Sequence, residues 1–290
     1  MFEIGKRELS AEIREALPGS FVELSAGVTH YELLGDATSE TVVLIHGNAA
    51  PYVTWDHTIE DLGRAGLRVL RYDLFGHGFS DRPRLRRYDR HLYTTQLAEL
   101  LSRLDIPSPI LAVGSSQGGS IGACFAAEHP GRVDKLALLA PFFDGFEGSG
   151  SVAALVARAP VAGDLVIQLV RDGKFTDLSA AIYSTNARTA LEHATAEQYR
   201  FRGKRRAILA NLRGNALQDA TWCYRRVEEQ RIPTLLTWGT MDKSIPGDSM
   251  KRLRELNPRI EYHEIEGAGH LAHYEFPDRI NPLLIRFLTG

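Results

Sequence analysis

Apolar runs of strand length alternate with amphipathic stretches along most of this chain. The runs are TVVLIHG (41–47), LRVLRYDLFG (67–76), PILAVGSS (109–116), VDKLALLAP (133–141), TLLTWG (234–239) and IEYHEIEG (260–267). Their apolarity is continuous rather than alternating. That pattern suits strands buried on both faces of a parallel sheet covered by helices. Two shorter strand candidates, Phe21–Leu24 and Thr29–Leu34, come before them across a Gly-containing turn. Residues 6–17 carry charged and apolar side chains at helical spacing. The strand–helix repetition predicts an α/β fold, a mostly parallel central sheet flanked by helices.

Residues 145–218 break the rhythm. They hold a Gly/Ser-rich exit, GFEGSGS, and then helical patterns rich in Ala, Leu and Val, with no convincing strand. We expect a core built from residues 1–144 and 219–290, with 145–218 as a helical cap inserted after the sixth strand.

Composition narrows the picture only a little. The 290 residues are 44% hydrophobic and 24% charged, with a formal net charge of -2. This balance excludes a general attraction to nucleic acid or to an anionic membrane. The basic cluster Arg200, Arg202, Lys204, Arg205, Arg206 reads as a solvated helix face. Cys124 and Cys223 lie in no CxxC or Cys/His cluster, so neither a structural disulfide nor a zinc site is expected. The charged start, MFEIGKRELSAEIREAL, lacks the apolar run of a secretory signal. The most apolar stretch, SVAALVARAPVAGDLVIQLV, is broken by Arg158, Pro160 and Asp164 and does not suit a membrane span. A cytoplasmic enzyme is the expectation.

Candidate chemistry begins where PILAVGSS runs into the helical pattern QGGSIGACFAAEHP. Gly114-Ser115-Ser116-Gln117-Gly118 fits G-x-S-x-G with Ser116 at its centre. A serine on a sharp strand-to-helix turn needs small residues two before and two after it, or strand and helix collide. The helix N-terminus adds unpaired N–H groups near the reacting oxygen.

A serine hydroxyl needs a base, usually histidine. Of ten histidines, His270 stands out in Glu266-Gly267-Ala268-Gly269-His270, after the final strand pattern. His273 is a neighbouring competitor with a bland loop or cap reading. The acid that orients the imidazole is Asp242 in Trp238-Gly239-Thr240-Met241-Asp242, with Asp144 as the runner-up. For the oxyanion, the candidate donors are the backbone N–H groups of Gln117 and of Asn48, in the loop after TVVLIHG. His46 reads as a structural loop histidine.

Strand-HGN, the turn Asp73-Leu74-Phe75-Gly76-His77-Gly78-Phe79-Ser80, the GSSQGG elbow, WGTMD and GAGH occur in one order and spacing. Together they resemble the α/β-hydrolase superfamily with a helical cap, over about residues 20–290. The resemblance implies a serine hydrolase without metal or organic cofactor. Dehalogenases and soluble epoxide hydrolases of this family carry Asp where this chain has Ser116. Its carbon–carbon bond hydrolases usually have a Gly-rich loop after the first HG and a Trp after the histidine; here stand Asn48-Ala49-Ala50-Pro51 and Leu271. Proline iminopeptidases tend to carry Trp at the position of Gln117. The similarity leans to esterases, lactonases and monoacylglycerol-lipase-like enzymes.

The expected reaction is cleavage of a small hydrophobic carboxylic ester through an acyl-enzyme. Lactone, thioester and carbon–carbon bond hydrolysis are alternatives open to the same triad. A small-ligand receptor that retains the triad is an alternative of another class.

Overall fold

The computed structural model describes residues 7–145, 159, 161–169, 177–198 and 200–290. The Gly/Ser-rich exit beyond Gly145 and most of the apolar stretch 151–160 lie outside these residues, as does the start of the chain.

Eight strands form one sheet in the order β1-β2-β4-β3-β5-β6-β7-β8. They are β1 (Ser20–Leu24), β2 (Gly27–Leu34), β3 (Thr41–Ile45), β4 (Arg68–Tyr72), β5 (Ile110–Ser115), β6 (Val133–Leu139), β7 (Thr234–Gly239) and β8 (Glu261–Ile265). All eight fall within or beside the runs predicted from the sequence. β2 pairs antiparallel with β1 and with β4, and every other pairing is parallel. The chain leaves β3 for β4 on one side and returns to β5 on the other. Such a reversal of strand order opens a crevice at the carboxyl ends, where ligands of open α/β sheets bind.

Alternate residues of each inner strand feed opposite faces. Val43 and Ile45 join Leu70, Tyr72, Ala112, Leu136 and Leu138 on one face. There they meet α3 (Arg90–Arg103) and α4 (Gln117–Glu128). Val42 and Leu44 join Val69, Leu111 and Val113 on the other, against α2 (Ile59–Arg64). Burial on both faces explains why β3 reads as unbroken TVVLI. Each such Val, Leu or Ile contributes about 1.5–3 kcal/mol over an exposed position.

The remaining helices are α1 (Ala11–Glu15), α5 (Ala162–Leu169), α6 (Thr185–Gln198), α7 (Lys204–Arg213), α8 (Thr221–Glu229), α9 (Gly247–Leu256), α10 (Ala272–Glu275) and α11 (Pro277–Thr289). Between β6 and β7 the described residues contain helices and no strand, apart from one bridge between Phe201 and Arg7. No helix of the described residues is long and apolar enough to cross a membrane.

Two expectations are corrected. Cys124 on α4 and Cys223 on α8 form a disulfide with Cα atoms 4.7 Å apart. Their 99-residue separation hides the packing of α8 on α4, which places both thiols in one buried contact. The basic cluster is not a solvated face throughout. Lys204 is buried, with Nζ 3.3 Å from Gly76 O, and Arg206 donates to Arg82 O at 2.8 Å. The face of α7 that carries Lys204, Ala207 and Asn211 packs inward. Burial lowers the Lys204 pKa to about 7, with the Arg82 charge adding to the effect.

Candidate active site

Ser116 sits between β5 and α4 at φ 53°, ψ -120°. A left-handed φ is costly for a residue with a side chain and persists only where surroundings enforce it. Those surroundings are glycines. A Cβ on Gly114 would stand 2.4 Å from Gly118 O, the strand–helix collision the motif predicts. Gly118 answers to a different neighbour: its Cβ would meet Ile45 O of β3 at 2.1 Å. The motif therefore seats the turn against the adjoining strand as well as against its own helix.

Asp242 follows β7 and His270 follows β8, on the same carboxyl edge as Ser116. His270 Nδ1 lies 2.7 Å from Asp242 Oδ2, and Asp242 Oδ1 accepts from Ser244 N at 2.7 Å and Ile245 N at 3.0 Å. An imidazole held this way carries its proton on Nδ1 and leaves Nε2 able to accept one. Among the described residues, neither Ser116 Oγ nor His270 Nε2 has a hydrogen-bond partner. Such links in resting sites often close only with substrate present.

Asp144 is turned elsewhere. Its carboxylate accepts from Ser249 Oγ at 2.6 Å and from Arg252 Nε at 2.5 Å. His273 is buried, stacks on Trp55 with ring centroids 4.4 Å apart and lies 2.9 Å from Thr54 Oγ1. Burial lowers its pKa to about 3, which keeps it neutral.

The loop after β3 brings Asn48 beside the elbow. A Cβ on Gly47 would stand 2.8 Å from Ser116 Cβ, so only glycine lets this loop approach so closely. The backbone N–H groups of Asn48 and Gln117 donate to no partner among the described residues. Two unpaired donors beside the Ser116 turn are of the kind that holds an oxyanion.

Buried polar residues hold this loop. His46 Nε2 accepts from Leu74 N at 2.9 Å, so its proton is on Nδ1, 2.7 Å from Gly47 O. Burial is the main cause that lowers the His46 pKa to about 4. Asp73 receives Tyr52 N at 3.0 Å, Phe79 N at 2.9 Å and His30 Nδ1 at 2.8 Å. Burial alone would raise the Asp73 pKa; the hydrogen bonds from His30 and Tyr52 N and the nearby imidazoles together outweigh it and hold it low. The DLFGHGFS turn is thus scaffolding for the loop.

The sequence offered no local signal for three further participants. Glu275 accepts from Tyr183 N, Ser184 N and Gly269 N, tying the segment before α6 to the His270 loop. Tyr183 Oη donates to Met241 O at 2.9 Å, beside Asp242. Asn211 on α7 bonds to both Asn48 and Gln117.

A family model described as alpha/beta hydrolase fold matches residues 40–277. A 2-hydroxy-6-oxononadienedioate/2-hydroxy-6-oxononatrienedioate hydrolase of Paraburkholderia phymatum is 30% identical over 288 residues, covering 94% of this chain and 96% of that protein. The structure of an enol-lactonase from Burkholderia xenovorans superposes with a TM-score of 0.76 at 21% identity, over 93% of this chain and 100% of that one. An esterase from Exiguobacterium antarcticum does so with a TM-score of 0.76 at 18% identity, over 94% and 100%. The match runs from just before β3, through the elbow and the His270 loop, to the first residue of α11: the chain belongs to the α/β-hydrolase family.

Proposed function

We propose that this hydrolase works through Ser116, with His270 as base, Asp242 as the group that orients the imidazole, and the N–H groups of Asn48 and Gln117 as oxyanion donors. The observation that carries the reading is the 2.7 Å contact of His270 with Asp242, on the sheet edge that presents a serine at φ 53°. His270 Nε2 takes the Ser116 proton as Oγ attacks a carbonyl carbon. The charged carbonyl oxygen settles on the two N–H groups. The imidazolium then protonates the leaving atom, and a water molecule repeats the cycle on the acyl-enzyme. Residues 145–218 form the cap of this reading.

The sequence led first to an ester. The relative from P. phymatum shifts the weight to the carbon–carbon alternative. Its named substrate carries an oxo group, double bonds and two carboxylates but no ester, so hydrolysis there separates two carbons. A carbon–carbon bond beside a ketone is accordingly the first substrate class proposed here. Conjugated double bonds stabilise the departing carbanion, and the imidazolium supplies its proton. An ester is the second reading, on a specific observation. Leu271 and the loop Asn48-Ala49-Ala50-Pro51 depart from the usual carbon–carbon hydrolase pattern, and Ala50 and Leu271 pack with Leu178 and Ile182 in an apolar cluster.

Purified protein offered a 2-hydroxy-6-oxo-dienoic acid and p-nitrophenyl butyrate tests both. The expected result is the higher kcat/KM on the dienoic acid, with Ser116→Ala lowering turnover by several powers of ten. Near-full hydrolysis by Ser116→Ala overturns the nucleophile. Turnover of the ester alone selects the second reading.

A further inference from the structure

Asn211 lies on the inward face of α7, 94 residues from the nucleophile elbow, and is 2% exposed. Its carboxamide is fully used. Nδ2 donates to Asn48 Oδ1 at 2.9 Å and to Gln117 Oε1 at 3.1 Å. Oδ1 accepts from Gln117 Nε2 at 3.2 Å and from Tyr93 Oη at 3.3 Å. One side chain therefore clamps the two residues whose backbone N–H groups flank Ser116, and each comes from a different element: the loop after β3 and the first position of α4.

A buried amide with all its partners is held in one orientation, because any displacement leaves polar groups unpaired in a poorly solvated space. A loop such as 46–50 has no ladder to fix its peptide planes. Oxyanion donors are effective only when their direction is set before the charge develops. The Asn48 side chain is a handle by which that loop is held, and Asn211 grips it from α7 while His77 Nε2 lies 3.3 Å from the same oxygen.

We propose that Asn211 is a positioning residue for the oxyanion hole, aligning the Asn48 and Gln117 peptides so that the hole is complete only when α7 is seated on the core. It touches no reacting atom and acts through the two side chains it bonds. Asparagine suits the task and near relatives do not. Aspartate would face Asn48 Oδ1 and Gln117 Oε1 with two acceptors, and leucine would fill the space with no bond to either.

This inference rests on the serine-hydrolase reading above, and the test separates the two. Initial rates on p-nitrophenyl acetate are measured for wild type, Ser116→Ala, Asn211→Leu, Asn48→Ala and the Asn211→Leu/Asn48→Ala pair, with thermal melts on each. Asn48→Ala keeps its backbone N–H and loses only the handle. The expected result for Asn211→Leu and Asn48→Ala is a kcat lower by about 10–100-fold, with KM within about threefold, a fraction of the loss from deleting a whole oxyanion donor. The pair should exceed the loss of Asn211→Leu alone by no more than about twofold, since the Asn48 linkage that Asn48→Ala removes is already broken in Asn211→Leu. If Asn211→Leu folds poorly, Asn211→Ser, too short for either partner, carries the same expectation. Activity surviving in Ser116→Ala overturns the underlying reading. Activity lost in Ser116→Ala but unchanged in folded Asn211→Leu, or losses that multiply in the pair, overturns the role of Asn211 alone.

Discussion

Asp242 divides its carboxylate between His270 and its own loop: Oδ2 faces Nδ1 at 2.7 Å while Oδ1 holds the N–H groups of Ser244 and Ile245. The second pair of bonds gives the first its direction. It also dictates what an amide at this position would do.

In Asp242→Asn the two backbone donors would retain the amide oxygen, and the amide nitrogen would turn to His270. The imidazole must then present a lone pair at Nδ1 and its proton at Nε2, the wrong tautomer for accepting from Ser116. We expect kcat to fall by about 10⁴-fold with little change in thermal stability. Initial rates beside a thermal melt check this; a loss under tenfold would remove Asp242 from the proposed triad.

The elbow predicts a contrast between two glycines. Gly118→Ala drives a Cβ to 2.1 Å from Ile45 O in the central sheet, and neither partner is a flexible side chain. We expect a loss of about 3 kcal/mol or more, or no soluble protein. Gly63 lies within α2 with nothing within 4 Å of its added Cβ. Gly63→Ala should raise stability by about 0.5–1 kcal/mol. Urea melts of the two variants decide; similar effects would mean that the elbow glycines are not sterically required.

Stability should rise with pH from 5 to 9. His46 and His273 are held neutral by burial, with pKa values lowered to about 4 and about 3. Between about 6.5 and those values the unfolded chain takes up protons that the folded chain refuses. Their contribution is therefore complete above about 6.5 and lost as pH falls, by up to about 1.4 kcal/mol per unit for each group. Lys204, lowered by burial to about 7, has the same sign at higher pH: the unfolded chain holds the extra proton between about 7 and 10.5. Unfolding free energies at pH 5, 7 and 9 should climb in that order, and Lys204→Met should flatten the upper limb. A profile that falls from pH 7 to 9 would contradict the burial of Lys204.

The Cys124–Cys223 bond closes a large loop between α4 and α8, and a constraint of that size restricts the unfolded chain. The Cys124→Ala/Cys223→Ala double variant should be less stable by about 2–4 kcal/mol in urea. Mass spectrometry after alkylation without reductant should find both thiols protected. Because such bonds are rare in a reducing cytosol, the same measurement on freshly lysed cells tests the cytoplasmic location expected from the sequence. Free thiols there would fit that location and leave the bond to form after extraction.

The strands were legible because their cause is local. A segment covered on both faces must be apolar, and TVVLI, ILAVGS and the LALL of β6 record that burial residue by residue. The elbow was legible for a related reason: a tight turn dictates the glycines within two residues of Ser116. Asp242 and His270 could be named from the loops that carry them, with Asp144 as runner-up acid; that Asp144 turns toward Ser249 and Arg252 left no mark in the sequence. The disulfide, the inward face of α7, the Glu275 bonds to Tyr183 and Ser184, and the Asn211 clamp left no local trace. They join residues about 90 to 160 positions apart. By itself the sequence determined which short segments become strands and turns, since each is governed by neighbours along the chain. The tertiary structure alone decided which polar side chains meet, since a buried hydrogen bond depends on where two helices and a loop converge in space.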